Sequence, residues 1–330
     1  MGVVRQIETA ALKAVGSNKS TVFERKLTNL YTKGTFLDDF DVDEGVQSSA
    51  PATGFIMSFI ESVRGGSGSS EKVVFCLLAV QPSTGELVFD EFEDGFMRSE
   101  FETRLLHLQP CEILILGNLS KVTSKTISLL SQNTSGMCRE GVRVEHFDIL
   151  PLPDAKELIK NFYAEKEDAL EAEPIPFSGD LEICLCSMIT YLKQYGLENA
   201  LDLKTSFSSF AARSTMLLNA NTLASLEIYR NGTDLTEIGS LFWLLDHTRT
   251  KFGHRMLRKW IGRPLLQEAL LQQRIAAVQE LHETMDPKVD LLKKSLSGFP
   301  DIEKGLCRIH YGKVYHMEEL ALISSVLDLS

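Results

Sequence analysis

The stretch that decides the fold is Val73-Val74-Phe75-Cys76-Leu77-Leu78-Ala79-Val80, a continuous apolar run. A short run rich in valine and phenylalanine predicts a β-strand. The next residues, Pro82-Ser83-Thr84-Gly85, have turn chemistry, and Glu86 to Phe92 predicts a strand that returns beside the first. A sheet containing a hairpin-like pair of strands is therefore expected here.

On both sides of this pair, predicted strands alternate with predicted helices. Phe55 to Val63 predicts a strand before the pair, and Glu112 to Leu116 and Val142 to Phe147 predict strands after it. Helices are predicted to begin near Ser99, Ser120 and Asp154, and Ser99 has Glu102 at the spacing of a capping box. Alternation of this kind is typical of an α/β sheet covered by helices.

From Asp180 onward the apolar residues recur at helical spacing, which predicts an all-α segment. One apolar stripe consists of Phe252, Met256, Leu257, Trp260 and Ile261. The stripe predicts that Trp260 anchors a helical core. The last residues, Leu320 to Leu329, continue the helical pattern without a stop signal. The chain is thus expected to be truncated at this end, as at its start, where a solitary strand would lack a partner.

Charge is unevenly distributed along the 330 residues, whose net charge is -11. Residues 1–36 carry +4, residues 37–180 carry −15, and residues 181–330 are neutral. The acidic total argues against a stand-alone nucleic-acid binder. Asp38 to Glu44 is an acidic run that predicts a linker. No apolar run is long enough to span a membrane.

Signals for catalysis are absent from the sequence. Gly65-Gly66-Ser67-Gly68 lacks the following Gly-Lys-Ser/Thr of a phosphate loop. The one dense carboxylate group, Asp90, Glu91, Glu93 and Asp94, runs along one strand end, so its members would point to opposite faces as a solvated strand end. No enzymatic activity, metal or cofactor is predicted for this chain.

One predicted helix, around residues 250–263, has a basic face that could contact phosphate or an acidic neighbouring domain. The alternative is a solvated outer face. The candidate DNA-binding residues are Lys251, Arg255, Arg258 and Lys259 on this helix and Arg25, Lys26 and Lys33 near the N-terminus.

Residues 239–265 resemble the core-domain signature of the MutS family of DNA mismatch-repair proteins. The signature reads Leu-Asp, x-Thr-x-Thr, x-Gly-x-Arg, x-Leu-x-x-Trp and Pro-Leu, and this sequence fits it throughout. The matching residues are Leu245, Asp246, Thr248, Thr250, Gly253, Arg255, Leu257, Trp260 and Pro264. Further on, Pro300-Asp301-Ile302-Glu303-Lys304 resembles the family's Asp-x-Glu-Arg step with lysine for arginine.

The resemblance implies three parts of a larger protein. Residues 1–36 would be the end of the mismatch-binding domain, residues 37–179 a connector with an RNase H-like sheet, and residues 180–330 the start of the helical core and lever. The family's ATPase domain, with its ATP and Mg²⁺, would lie outside this chain.

Within the eukaryotic family, Glu8 to Ala14, Arg25 to Lys33 and Val80 to Glu86 look like the homologue 3 branch. That likeness implies a nuclear protein that pairs with MutS homologue 2, recognises mismatched or looped DNA and can meet a MutL-type partner. The implied function is to couple DNA binding to the distant ATPase.

Two other functions are compatible with the residues alone. The acidic connector could be a module that docks partner proteins. An RNase H-like sheet could also support a metal-dependent nuclease, although such chemistry needs carboxylates gathered around two metal ions.

Overall fold

The computed structural model describes residues 2–6, 25–30, 32–35, 54–66, 68–131, 141–164, 177–202, 207–211, 215–283, 287–297 and 299–312. For residues 2–6, 25–30, 287 and 288 it describes the backbone alone. The predicted linker at Asp38 to Glu44, the final helical pattern at Leu320 to Leu329 and the side chains of Arg25 and Lys26 lie outside the described residues.

Two sheets are present in the described part of the chain. Strands β1 (Gly2–Gln6) and β2 (Arg25–Leu30) form an antiparallel pair. The strands of the larger sheet are β3 (Ile56–Gly65), β4 (Lys72–Gln81), β5 (Glu86–Gly95), β6 (Glu112–Leu116), β7 (Arg143–Phe147) and β8 (Phe207–Ser209). Their order is β7-β6-β3-β4-β5-β8. Strand β4 is antiparallel to its neighbours β3 and β5, whereas β6 is parallel to β3 and β7, and β8 is parallel to β5. The predicted α/β layout and its hairpin are confirmed.

Helices cover both faces of this sheet, which explains why β4 is apolar along nearly its whole length. The helices are α1 (Ser99–Leu108), α2 (Lys121–Ser131), α3 (Leu152–Ala164) and α4 (Gly179–Tyr195). Met57, on one face of β3, packs with Phe101 of α1. Its neighbour Ile56, on the other face, packs with Met188 of α4. Alternate residues of each strand thus enter opposite cores.

Helix α4 belongs to the sheet rather than to the helical segment that we predicted from residue 180. Cys184, Met188 and Tyr191 are fully buried in the core that also contains Ile56 and Leu78. The Ser58 hydroxyl donates to the carbonyl oxygen of Cys184 at 3.2 Å. The predicted boundary at residue 180 was therefore wrong, because helical spacing identifies a helix without identifying the core that receives it.

The predicted capping box at the start of α1 was also wrong. Arg98 precedes the helix with a φ of 56°, and no side chain caps the helix from that position. Instead, the Asp94 carboxylate accepts the backbone N–H of Phe101 at 2.8 Å. A carboxylate at a helix N-terminus also interacts favourably with the helix dipole.

The prediction of an all-α segment from residue 180 was wrong at β8 (Phe207–Ser209), which pairs with β5 of the sheet. The named elements that follow β8 are helices, as predicted. They are α5 (Ala220–Ser225), α6 (Leu241–Leu245), α7 (Lys251–Gly262), α8 (Glu268–Glu283), α9 (Pro287–Leu296) and α10 (Ile302–His310). Trp260 of α7 is 45% exposed and Met256 is 50% exposed. The predicted anchoring role of Trp260 was wrong in this chain, since nearly half of the residue is exposed; the Arg274 guanidinium lies 3.7 Å from the centre of its ring.

Candidate functional site: helix α7 and its attachments

The start of α7 is built from short polar side chains of the signature. The Asp246 carboxylate accepts the backbone N–H of Thr248 at 3.2 Å and its hydroxyl at 2.6 Å. These bonds help to hold the pKa of Asp246 below its usual value against the opposing effect of burial. Thr250 then accepts the N–H of Gly253 at 3.1 Å as the N-cap of α7. The signature threonines therefore set where this helix begins.

Arg255 connects α7 to α10. Its two terminal nitrogens donate to the two carboxylate oxygens of Asp301, each at 2.7 Å, and its Nε donates to Glu303 at 2.9 Å. These bonds hold the pKa of Asp301 below its usual value although burial opposes it. The signature arginine is thus engaged within the chain rather than free for phosphate.

The next arginine along α7, Arg258, packs on aromatic rings. Its guanidinium lies 4.0 Å from the ring centre of Tyr229 and 5.4 Å from that of Phe242. Burial lowers the pKa of Arg258. Arg258 therefore faces the inside of the helical segment, where the two aromatic rings interact favourably with its charge.

Two further cations attach α7 to the connector sheet. Lys259 forms a 2.5 Å ion pair with Glu86, the first residue of β5. Arg263 donates to the carbonyl oxygen of Phe210 at 3.1 Å, and its guanidinium lies 3.9 Å from the centre of that ring. Phe210 is buried, and its N–H continues the β8 pairing by donating to Phe89 at 2.9 Å. Lys259, which we predicted as a DNA contact, thus binds another part of the same chain.

The remaining predicted cations give no assembled DNA surface in the described residues. Lys251 is exposed and makes an intramolecular contact. Lys33 is exposed and donates to the carbonyl oxygen of Gly141 at 3.2 Å. Lys33 lies at the far edge of the sheet from β8 and α7, so the structure does not bring the two groups together. DNA contact by any of these residues remains a prediction.

Helix α1 completes the attachment of the connector to the helical segment. The hydroxyl of Thr103 accepts the N–H of Ala220 at 3.1 Å, and the His107 ring donates to the carbonyl oxygen of Leu218 at 2.8 Å. Burial, together with nearby arginines, lowers the pKa of His107 to about 4. The imidazole is therefore neutral at pH 7, which suits its edge-on contact with Phe210.

A cleft of about 700 Å³ lies between the sheet and α7. His107, Arg258, Trp260, Arg263 and Arg274 are among its lining residues. The cleft marks where the two parts of the chain meet. Sequence reasoning did not identify Phe210 or His107, because neither belongs to a periodic pattern that signals an interface.

The acidic strand end that we considered for nuclease chemistry has other partners. Asp90 is buried and paired with Nε of Arg104 at 2.9 Å, and burial raises its pKa despite that partner. Asp94 is buried as the cap of α1. Our prediction of a solvated strand end was wrong for these two residues. In the described ranges, no cluster of three or more histidine, cysteine, aspartate or glutamate side chains could hold a metal ion.

No helix in the part of the chain that the structure describes is long and apolar enough to cross a membrane.

Comparison with known proteins places both parts of the chain. The family description "MutS domain II" matches residues 54–204, which include β3 to β7 of the sheet and α4. "MutS domain III" matches residues 221–329, which include α7 and α10. The first match extends past residue 195, in agreement with the packing of α4 on the sheet. The fold and its attachments therefore define two adjoining domains of the MutS type, domain II and domain III.

The chain belongs to the MutS family. It is 46% identical over 344 residues to "DNA mismatch repair protein msh3" of Botryotinia fuckeliana, covering 99% of this chain and 30% of that protein. It is 48% identical to "DNA mismatch repair protein MSH3" of Phaeosphaeria nodorum over 344 residues, covering 100% of this chain and 31% of that protein. The protein from Coccidioides immitis with the same description is 47% identical over 346 residues, covering 99% of this chain and 31% of that protein. The chain thus spans about 30% of the length of these relatives.

Proposed function

We propose that this chain is the coupling part of a mismatch-repair recognition protein, which transmits binding of mismatched or looped DNA to a distant ATPase. Coupling requires an element that both sites bias. The observation that carries the proposal is the position of α7, which is bonded to the connector sheet on one side and to α10 on the other. Arg263 and Lys259 provide the first attachment, and Arg255 provides the second.

The relatives' names support the rest of the proposal. Because they are described as mismatch-repair proteins, we infer a nuclear protein that binds DNA containing mismatches or insertion–deletion loops. We propose MutS homologue 2 as its heterodimer partner and a MutL-type protein as a further contact. ATP and Mg²⁺ would act in the complete protein, and residues 1–330 alone would turn over no ATP.

The decisive experiment changes Arg263 in the full-length protein that contains this sequence. In Arg263→Ala, the bond to the Phe210 carbonyl and the contact with its ring are lost. We expect affinity for looped DNA to be retained, while the rise in ATP turnover on adding DNA falls about fivefold or more, the scale of a typical allosteric coupling.

Lys293→Ala is the matched control, because Lys293 is an exposed cation of α9 whose contact with Asp290 is 4.0 Å long. It should leave both measurements unchanged. A normal ATPase response in Arg263→Ala, with the substituted protein correctly folded, would exclude α7 as the coupling element.

A further inference from the structure

The short segment from Thr32 to Thr35 is seated in the connector. Gly34 and Thr35 are buried. The structure describes no side chain directly before or after this segment. A Cβ atom at Gly34 would lie 2.5 Å from Cγ1 of Ile56 and 3.2 Å from Sγ of Cys111. The backbone therefore approaches the sheet as closely as a glycine allows, beside the first residues of β3 and β6.

A carboxylate at the start of β6 binds the backbone of this segment. The N–H of Gly34 donates to Oε1 of Glu112 at 3.0 Å. Glu112 is the first residue of β6 and is 1% exposed. Hydrogen bonds to a buried charged acceptor are stronger than bonds between neutral groups, since the carboxylate would otherwise be desolvated without compensation.

The other oxygen of the same carboxylate binds α4. Oε2 of Glu112 accepts the Tyr191 hydroxyl at 2.5 Å. Tyr191 is fully buried, and burial together with Glu112 raises the pKa of its phenol, which keeps the hydroxyl protonated as a donor. Arg143 of β7 completes the cluster by donating to the Tyr191 oxygen at 3.2 Å, with its guanidinium 3.9 Å from Glu112. One carboxylate is thus shared between the upstream segment and a connector helix.

We propose that Glu112 is a positioning residue that fixes the segment carrying the β1–β2 pair to the connector sheet and to α4 at once. A displacement of the upstream segment would then have to break the Gly34 bond or move the carboxylate that Tyr191 also binds. The docking itself is a property of this chain. The further claim, that this docking is the upstream attachment of a coupling path, rests on the proposed function.

The test is amide hydrogen exchange in the 330-residue chain, comparing the wild type with Glu112→Gln. The amide side chain has one acceptor oxygen and brings two donors, so it cannot accept from both Gly34 and Tyr191. We expect exchange of the amides of residues 32–35 to accelerate about tenfold or more, as the loss of a bond to a charged group implies.

Asp90→Asn is the matched control, because it also removes a buried, paired carboxylate from the same sheet but lies on β5. It should lower the unfolding midpoint without accelerating exchange at residues 32–35. Equal acceleration in this control would show that the segment only reports global stability and would overturn the proposal.

If Glu112→Gln does not fold, Gly34→Ala tests the proposal instead, because it adds a methyl group to the docked segment itself. Acceleration confined to residues 32–35 is expected there too. Unchanged exchange in whichever of these variants folds would contradict the proposal. In the full-length protein, the same variant could show accelerated exchange at residues 32–35 together with a normal DNA-dependent ATPase response. That result would support the docking role of Glu112 and would refute the proposed coupling function.

Discussion

Arg255 and Asp301 are 46 residues apart in the sequence and form a two-pronged ion pair, with both N–O distances at 2.7 Å. Asp301 is at the same time the N-cap of α10, where it accepts the N–H of Lys304 at 3.4 Å. One carboxylate thus starts one helix and binds another. The relative position of α7 and α10 depends on this pair, because the two arginine prongs fix orientation as well as distance.

Removing the guanidinium should destabilise the helical segment. In Arg255→Ala, the side chain of Asp301, which is 7% exposed, keeps its negative charge without its main partner. We expect a loss of about 3 kcal/mol in the free energy of unfolding, measured by denaturant titration. Arg255→Lys should restore only part of the lost free energy of unfolding, since an ammonium cannot bind both oxygens in the same geometry. Full recovery by lysine would show that charge alone matters.

The sequence predicted some of these relationships and could not predict others. Arg255 and the Asp301–Glu303 pair were singled out separately by the family signature, but nothing in their spacing indicated that they bind each other. The strands around Val73 to Val80 could be predicted because local apolar runs determine them. The placement of α4 could not, because an apolar helix face fits a sheet and a helical bundle equally well.

The exposure of Trp260 shows the same limit. A stripe at helical spacing indicates which side chains share a face, but it does not show what covers that face. In the described residues the face of α7 that bears Trp260 is covered only in part, since Trp260 is 45% and Met256 50% exposed, and Arg274 packs on the Trp260 ring. The pattern therefore identified the helix and misjudged the burial of its largest residue.

Substitution of Trp260 should consequently have a small effect in this chain. We expect Trp260→Ala to cost about 1–2 kcal/mol, because the cation–π contact and only about half of the side chain's apolar burial are lost. Phe242→Ala is the matched comparison, because Phe242 is fully buried and its loss should cost about 3–5 kcal/mol. Unfolding midpoints of the two variants, measured side by side, check this ranking. Equal losses would mean that Trp260 is buried in solution.

His107 should make the stability of the chain depend on pH. Its pKa is lowered to about 4 in the folded chain, against an ordinary value of 6.5. Between these values the unfolded chain binds a proton that the folded chain does not, so stability is full above pH 6.5 and falls as the pH drops toward 4. The contribution is at most about 3 kcal/mol.

The measurement is the free energy of unfolding at pH 7.5 and pH 5.0 for the wild type and for His107→Gln. Glutamine keeps a neutral donor for the Leu218 carbonyl and binds no proton in this range. The difference between the two pH values should shrink in the variant, whereas groups elsewhere, such as Asp246 and Asp301, contribute equally to both chains. The same difference in both chains would show that His107 titrates normally.

The last prediction concerns DNA binding by the 330-residue chain. We expect weak binding with no preference for looped over fully paired duplex. Arg255 and Lys259 are ion-paired, and Arg258 and Arg263 lie against aromatic rings. Each would have to give up these contacts to reach a phosphate. The charge of −15 on residues 37–180 opposes DNA wherever the two approach.

A few remaining phosphate contacts imply non-specific binding near 10⁻⁴–10⁻⁶ M, an affinity that falls steeply as salt rises. A titration with a homoduplex and with a duplex bearing a small extrahelical loop, each at two salt concentrations, measures both properties. Arg255→Ala should not weaken this binding if its guanidinium is occupied by Asp301, whereas a change at an exposed cation such as Lys33→Ala should reduce the salt dependence. A preference for the loop that persists at the higher salt would place a recognition surface within this chain and would contradict the intramolecular roles that the geometry gives to the α7 cations.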